Sequence, residues 1–475
     1  MAISAPSVPE KTNVPRFKSN FFAERNEGNL MRKTFIAILI LLFSLSLHLP
    51  AQGQEEVIKK GEALDMQRCI RIGLARHPAI LSAASTVSVN ESRIGQARSG
   101  YLPQVGASAT ISRTDPYTTP VGTVAQQSGN IYNQYVSSIT LNQNIYDFGK
   151  TAAQVDVQKL NTGSSRLDLD AVRKQIVFNV KQAYLNLLKS QKNLEVGLEK
   201  VQQFQKHLDQ AKGFFEVGVK PKFDVTKAEV DLSNARLDLL KAENALRISR
   251  STLNNAMGFP DAPEYSISRA DFVPQPYGII FEEALQKAYL DRPELKSLAT
   301  KRLAQEKTIE LSKKGYYPNV TGTAGYGWGG TNTVGFGGGG DQNFPWDQGW
   351  NIGATLNIPI FSGLSTKYQV DEARASLEVI KANEKTLRQD IYLELQQSYS
   401  NLREATDRIT TTELAVRQAA ENMELANGRY ASGVGSPIEI TDALVAHSNA
   451  QTAQAAAIYD HKIAQASIEK AIGFQ

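Results

Sequence analysis

The sequence predicts a mainly helical fold with a small β part, built from a helix–strand–strand–helix unit that occurs twice and carries long coiled-coil hairpins. Three observations predict it. The first is an apolar repeat of seven residues. Leu187, Leu194, Val201 and Leu208 mark one arm, and Leu232, Leu239, Leu246 and Leu253 mark a second. That spacing keeps one seam of a helix facing a partner helix. The second is a register of 215 residues, which carries Leu187, Leu194, Val201 and Leu208 onto Leu402, Ile409, Val416 and Met423. It also carries Gly218-Val219 onto Gly433-Val434, Gly100-Tyr101 onto Gly315-Tyr316, and Thr140-Leu141-Asn142 onto the identical Thr355-Leu356-Asn357. A register held over so many positions marks a duplication into two large units. The third is a switch of the hydrophobic period from near 3.6 to 2 in four short runs, two in each unit.

Residues 1–30 are polar, contain Pro6, Pro9 and Pro15, and have no periodicity, so they are read as a disordered extension or as lying upstream of the true start at Met31. Residues 31–53 form a secretory signal. Arg32-Lys33 supplies the basic end, Phe35 to Leu49 an apolar run too short to span a bilayer, and Ala51-Gln52-Gly53 the small residues for cleavage. The first structural repeat follows over 54–258, with helical segments on either side of Pro78. Its strands are expected at about 103–113 and 135–147, and its long helices at about 150–214 and 223–257. The first long helix would reach on the order of 100 Å. Gly218 and Pro221 end one arm before Phe223-Asp224-Val225 opens the next. A linker rich in proline (Pro260, Pro263, Pro274, Pro276) is expected over 259–280, lying across the waist of the rod. The second repeat covers 281–473, with strands at about 318–328 and 350–360 and helices at about 364–430 and 437–472.

The strand runs carry the first functional signal. Val105, Ala107, Ala109 and Ile111 alternate with Gln104, Gly106, Ser108 and Thr110; Ile139, Leu141 and Ile145 alternate with Ser138, Thr140 and Asn144. In the second unit Val320, Ala324, Tyr326 and Trp328, then Trp350, Ile352, Ala354, Leu356, Ile358 and Ile360, form the apolar sets. Each run is about ten residues long, as a tilted strand crossing a bilayer requires. The polar positions are small and uncharged, which suits a wet lumen. Tyr326, Trp328 and Trp350 stand where an interfacial aromatic belt is expected. Four strands cannot close a barrel, and open edges in lipid cost several kcal/mol per unpaired group. Closure therefore requires several chains, eight strands from two or twelve from three.

Other chemistry is missing. The net charge of +4 falls mostly in the first 53 residues, and the near-neutral remainder offers no nucleic-acid surface. The single Cys69 excludes a disulfide framework and is read as a small apolar residue on a helix. None of the five histidines has a metal-ligand spacing, and His447 and His461 fall on a helix seam or tunnel face. The run Gly335–Gly340 satisfies a dinucleotide pattern, but no helix opens after it to hold a phosphate, so it is read as a loop. No nucleophile elbow or phosphate loop is present. The sequence is not read as an enzyme, and no cofactor or metal site is expected.

The signal, the duplicated unit, Gly100-Tyr101-Leu102-Pro103 ahead of the first strand, and the Phe-x-x-Gly turn at the rod tip together resemble the TolC-like outer-membrane efflux proteins, over about Gln54 to Gly473. The resemblance implies a homotrimer with a twelve-stranded barrel in outer-membrane lipid and a helical tunnel crossing the periplasm. It implies docking to a periplasmic adaptor (membrane fusion) protein and an inner-membrane pump, in a tripartite efflux or type I secretion system, with passive conduction through the channel. Matched to the family, Glu439 and Asp442 are the acidic residues of the periplasmic aperture and Tyr430 the aromatic residue that helps hold it shut. A basic residue common two places after the tip glycine is replaced here by Gly435. Gly218, Val219, Gly433 and Val434, repeated at the two hairpin tips, are the expected adaptor contacts. The alternative is an elongated periplasmic coiled-coil scaffold or adaptor with no barrel. The exported substrate is not legible, because the pump selects it.

Overall fold

The computed structural model describes residues 58–114, 131–268, 278–334 and 347–473, all within one compact unit, Glu56–Gln475. The extension and signal expected over 1–53, the Gly335–Gly340 run, and Pro274 and Pro276 of the linker lie outside the described residues.

In the first unit, β1 (Ala63–Leu64) leads into α1 (Met66–Arg76) and α2 (Pro78–Arg98). The strands β2 (Gln104–Thr114) and β3 (Ile131–Tyr146) follow, then the helices α3 (Lys150–Glu216) and α4 (Lys222–Ala256). The linker holds β4 (Ser266–Ile267). The second unit repeats the order as α5 (Phe281–Asp291), α6 (Pro293–Lys313), β5 (Asn319–Val334), β6 (Asp347–Asn357), α7 (Ser365–Ala431) and α8 (Pro437–Ile472). Local chemistry sets these boundaries. Asp65 caps α1 by accepting from Arg68 N at 2.6 Å, and proline opens both α2 and α6, where a missing N–H costs nothing. The helices α3 and α7 are each 67 residues, about 100 Å at 1.5 Å per residue.

The four long strands form one antiparallel sheet in the order β2-β3-β5-β6. Its register gathers the alternating residues of separate runs onto common faces. Val105, Leu141, Ala324 and Ile352 share one cross-strand row, and Ala107, Ile139, Tyr326 and Trp350 the next. On the other face the rows read Gly106, Thr140, Gly325, Asn351 and Ser108, Ser138, Gly327, Gly349. One face is thus apolar and aromatic, the other small and uncharged, and neither is covered by another element among the described residues: Ile111, Trp350 and Ile352 are all exposed.

Several strand details differ from expectation. The strand β3 begins at Ile131 rather than near 135, and β5 runs on to Val334 rather than ending near 328, so each is 16 residues long. The register slips between Asn144 and Tyr146, so Ile145 lies over Gly322 and Tyr146 takes the place opposite Val320. The strand β6 ends at Asn357 rather than near 360, because Pro359 cannot donate to a ladder; Ile358 and Ile360 lie beyond it, with Ile360 93% exposed.

The helices pack in hairpins, α3 with α4 and α7 with α8, and α3 also lies along α6 and α8. Seam residues Leu187, Leu208, Leu232, Leu253 and Leu402 are buried. Halfway along α3, β4 pairs in parallel with β1, and Tyr265 and Ile267 pack with Tyr184, Leu187 and the buried Cys69. The Tyr184 hydroxyl donates to Ser268 O at 2.7 Å. Half-buried charge is paired between helices: Asp460 of α8 joins Lys189 of α3 at 3.0 Å and Arg408 of α7 at 2.7 Å. His447 and His461 are buried in α8.

Candidate functional site

All four long helices meet at the hairpin tips. Each turn needs a left-handed residue, and Gly218 (φ 77°) and Gly433 (φ 80°) supply it without the penalty a β-carbon would incur. The following residues project outward, Val219 at 58% and Val434 at 71% exposure. Behind them lies an apolar cluster drawn from every helix: Phe204 and Leu208 of α3, Ala228 and Leu232 of α4, Tyr430 of α7, and Ile440 and Leu444 of α8.

Tyr430 is the centre of this cluster and is fully buried. Its ring meets His207 edge-on at 5.0 Å and Phe214 at 5.7 Å. Burial, and after it the charge and contact of Asp224, push its phenol up to about 12. Neither the Tyr430 hydroxyl nor Asp224 Oδ2 has a hydrogen-bond partner among the described residues. His207 is also buried and neither ring nitrogen has a partner. Desolvation holds its pKa below the ordinary 6.5, against the opposing pull of Asp231 and Asp224 and with the help of Lys227.

At the tips, Lys220 and Thr441 tie the first hairpin to the second. Lys220 is half-buried beside the first turn: its Nζ donates to Gly433 O and Gly435 O, each at 3.2 Å, and lies 5.3 Å from the Tyr430 ring centre. Thr441 Oγ1 donates to Asp231 Oδ2 at 2.8 Å, while Lys227 holds both oxygens of that carboxylate at 2.6 Å. Lys220 and Gly435 are duplication partners, 215 residues apart. The absence of a side chain at 435 has a steric cause, since a β-carbon there would stand 2.7 Å from Tyr430 N. The cation missing from the second tip is therefore present at the equivalent place in the first, and it reaches across.

Glu439 and Asp442 lie in the first turns of α8, both exposed. The structure does not leave them equivalent. Glu439 pairs with Arg429 of α7 at 3.1 Å, whereas no ion pair is found for Asp442 among the described residues. The helix dipole favours both carboxylates. On the sheet, Tyr326 and Trp328 lie 6.0 Å apart, and the Tyr326 hydroxyl donates to Gln348 at 2.7 Å. Trp350 stands directly opposite Tyr326 on the apolar face.

Tyr430, Glu439 and Asp442 were expected here from the resemblance, and the tip glycines from their repetition; Lys220, Asp224, Asp231, His207 and Thr441 were not among the expected site residues and pack at the same tips. The signal for Lys220 was available in the register that sets it against Gly435. For His207 there was none, because only the packing of α7 against α3 shows that its ring is enclosed.

A model of the family described as outer membrane efflux protein matches residues 70–259 and 284–474, the two halves of the duplication. The chain belongs to the outer membrane efflux protein family. Among its relatives, the outer membrane protein TolC of Escherichia coli is 24% identical over 408 residues, covering 84% of this chain and 80% of TolC. TolC of Vibrio cholerae is 21% identical over 401 residues, covering 83% of this chain and 87% of that protein. Among solved structures, the CmeC outer membrane channel of Campylobacter jejuni has a TM-score of 0.72 at 17% identity, covering 90% of each chain, and so shares the fold. This efflux protein is an outer-membrane channel-tunnel with its helical tunnel in the periplasm. The family and these relatives are channels, and TolC-like efflux proteins work with adaptor and inner-membrane pump partners.

Proposed function

We propose that three copies of this efflux protein join their sheets into a twelve-stranded barrel, and that substrates handed over by an inner-membrane pump pass through it passively. The observation that carries this is the two-faced sheet with open edges. Its outer strands β2 and β6 each have one side without a partner among the described residues. Unpaired backbone groups cost several kcal/mol each in lipid, so the edges must pair with other copies. Two copies would also close a barrel; helices continuing from the strands around a wide tunnel favour three. A soluble scaffold would have no use for an uncovered apolar face carrying Trp350 and Ile352. Tyr326, Trp328 and Trp350 are the residues we assign to the lipid–water boundary.

At the other end, the exposed Val219 and Val434 beside Gly218 and Gly433 are the contacts we assign to the periplasmic adaptor. Tyr430 is the closing residue of the aperture, held by Lys220, His207 and Asp224. Glu439 and Asp442, gathered around the threefold axis, would ring the opening with carboxylates and draw cations to it, as such rings do in cation channels.

The test is insertion and conduction. The mature protein should fractionate with outer membranes, need detergent for extraction, and form discrete conductance steps in planar bilayers. Recovery as a stable detergent-free periplasmic protein would overturn the reading in favour of the scaffold.

A further inference from the structure

Below the sheet, where strands give way to helices, the apolar face does not stop abruptly. Tyr146, opposite Val320 on that face, meets Phe148 edge-on at 4.7 Å, and Phe148 stacks on Tyr317 at 5.9 Å. Tyr317 is one wall of a cleft of about 400 Å³ between α6 and α7. Three cations line it, Lys313, Lys367 and Arg374, against one carboxylate, Asp371. Asp371 stands between two of them, 3.7 Å from Lys367 and 3.6 Å from Arg374. Lys313 has no carboxylate within 4 Å among the described residues, so the cleft keeps an excess of positive charge. A further cation, Lys314, lies 5.1 Å from the Tyr317 ring centre.

The duplication provides a second copy. A cleft of about 530 Å³ between α2 and α3 is lined by Arg98, Tyr101, Asp156 and Lys159, which are the partners of Lys313, Tyr316, Asp371 and Arg374. Lys159 and Arg374 have side chains 52% and 61% exposed. Packing does not dictate a cation at such positions, yet both units keep one, together with the same aromatic and acidic neighbours.

We propose that these two clefts bind the headgroup phosphate of an anionic phospholipid in the leaflet that meets the tunnel. The inference rests on the membrane reading above. A lipid rather than a free anion fits because, in the second unit, the cations sit at the end of a path from the apolar face: acyl chains against Val320 and Leu356, the glycerol region beside Phe148 and Tyr317, and the phosphate among Lys313, Lys367 and Arg374. In the first unit Leu102 and Ala152 stand in place of Tyr317 and Lys367, and Arg98 and Lys159 supply the cations. Aromatic residues followed by cations are the arrangement that holds a protein at a lipid headgroup layer. A carboxylate poised between two cations also lets the cleft exchange one anion for another, since a phosphate can take Lys367 and Arg374 from Asp371 without leaving them unpaired.

The experiment is native mass spectrometry of the detergent-solubilised oligomer titrated with phosphatidylglycerol, and separately with phosphatidylcholine. The quadruple variant Arg98→Gln, Lys159→Gln, Lys313→Gln, Arg374→Gln removes two cations from each cleft. Each cation near an anionic headgroup contributes about a fivefold change in affinity, so retention of phosphatidylglycerol should fall roughly 30-fold per cleft. Phosphatidylcholine retention should not change. The oligomer mass of the variant, read in the same spectrum, shows whether it still assembles; if it does not, the paired variants Arg98→Gln, Lys159→Gln and Lys313→Gln, Arg374→Gln are titrated instead. Equal phosphatidylglycerol retention in native and variant oligomers would overturn the proposal, as would its displacement by millimolar inorganic phosphate, which would mark a site for free anions. Native protein that forms no conducting channels would instead sink the membrane reading on which the proposal rests.

Discussion

Replacing Lys220 by methionine should loosen the closed tip. The side chain keeps its length and most of its packing but loses the ammonium group, and with it two hydrogen bonds of 3.2 Å to Gly433 O and Gly435 O and the contact 5.3 Å from the Tyr430 ring centre. Hydrogen bonds from a charged donor contribute about 1.5–3 kcal/mol when short and buried; at this length and half-exposed, about 0.5–1 kcal/mol each is the appropriate scale. A cation on an aromatic face at a partly wet site adds about 0.5–1 kcal/mol. Together they give about 2 kcal/mol per chain, roughly a 30-fold shift in the closed-to-open ratio. If three chains open as one, the shifts multiply to about 6 kcal/mol, or roughly 10⁴-fold. Single-channel recording in planar bilayers reads this directly as open fraction and conductance. Lys220→Met should raise both, Lys220→Arg should stay near the native protein, and the oligomer should be intact in all three. An assembled Lys220→Met channel with native open fraction would refute the assignment of Lys220 as a clasp.

Two further predictions concern the same aperture. Glu439→Gln combined with Asp442→Asn should abolish most of the block by divalent or trivalent cations added on the periplasmic side, whereas Arg429→Gln, which frees Glu439 from its ion pair, should strengthen it; equal block in all variants would show that these carboxylates only favour a helix N-terminus. His207 should make the tip sensitive to acid. Its pKa is lowered by burial among the packed tip helices, so the stability contributed by enclosing a neutral imidazole is present above the ordinary 6.5 and is lost as pH falls through the depressed value. Open fraction should therefore rise as pH falls below about 6.5, and His207→Phe, which keeps the edge contact with Tyr430, should flatten that rise; an unchanged pH profile would rule His207 out as its source.

Much of the fold was legible because it rests on long periodic signals. A seven-residue seam running through Leu187, Leu194, Val201 and Leu208 predicts a rod, and a register that repeats Thr140-Leu141-Asn142 at Thr355-Leu356-Asn357 predicts that there are two of them. The strands were legible through alternation, since a face is fixed by parity alone. Features shorter than one period were not. The two-residue pair of β1 with β4 has no pattern to detect, and the bulge at Ile145 shows only when β3 is set against β5. The aperture divides in the same way. Tyr430, Glu439 and Asp442 were found from a resemblance that places them around a turn. The contacts that join the two tips, Lys220 on the second tip and Thr441 on Asp231, link residues more than 200 positions apart, and no local pattern encodes them.

Open sheet edges should close with other copies of the chain, and cross-linking across those edges reads that closure. Thr110 on β2 and Asn351 on β6 both lie on the polar face of the edge strands, so Thr110→Cys with Asn351→Cys sets one thiol at each edge. The native Cys69 is buried and its thiol is pushed up to about 12 by desolvation, which leaves it inert toward a maleimide at neutral pH. Treated in native outer membranes with a bis-maleimide of moderate span, the double variant should give a ladder of covalent dimer and trimer that stops at the trimer. A chain that stays monomeric under these conditions, or a ladder that continues past three, would contradict the account.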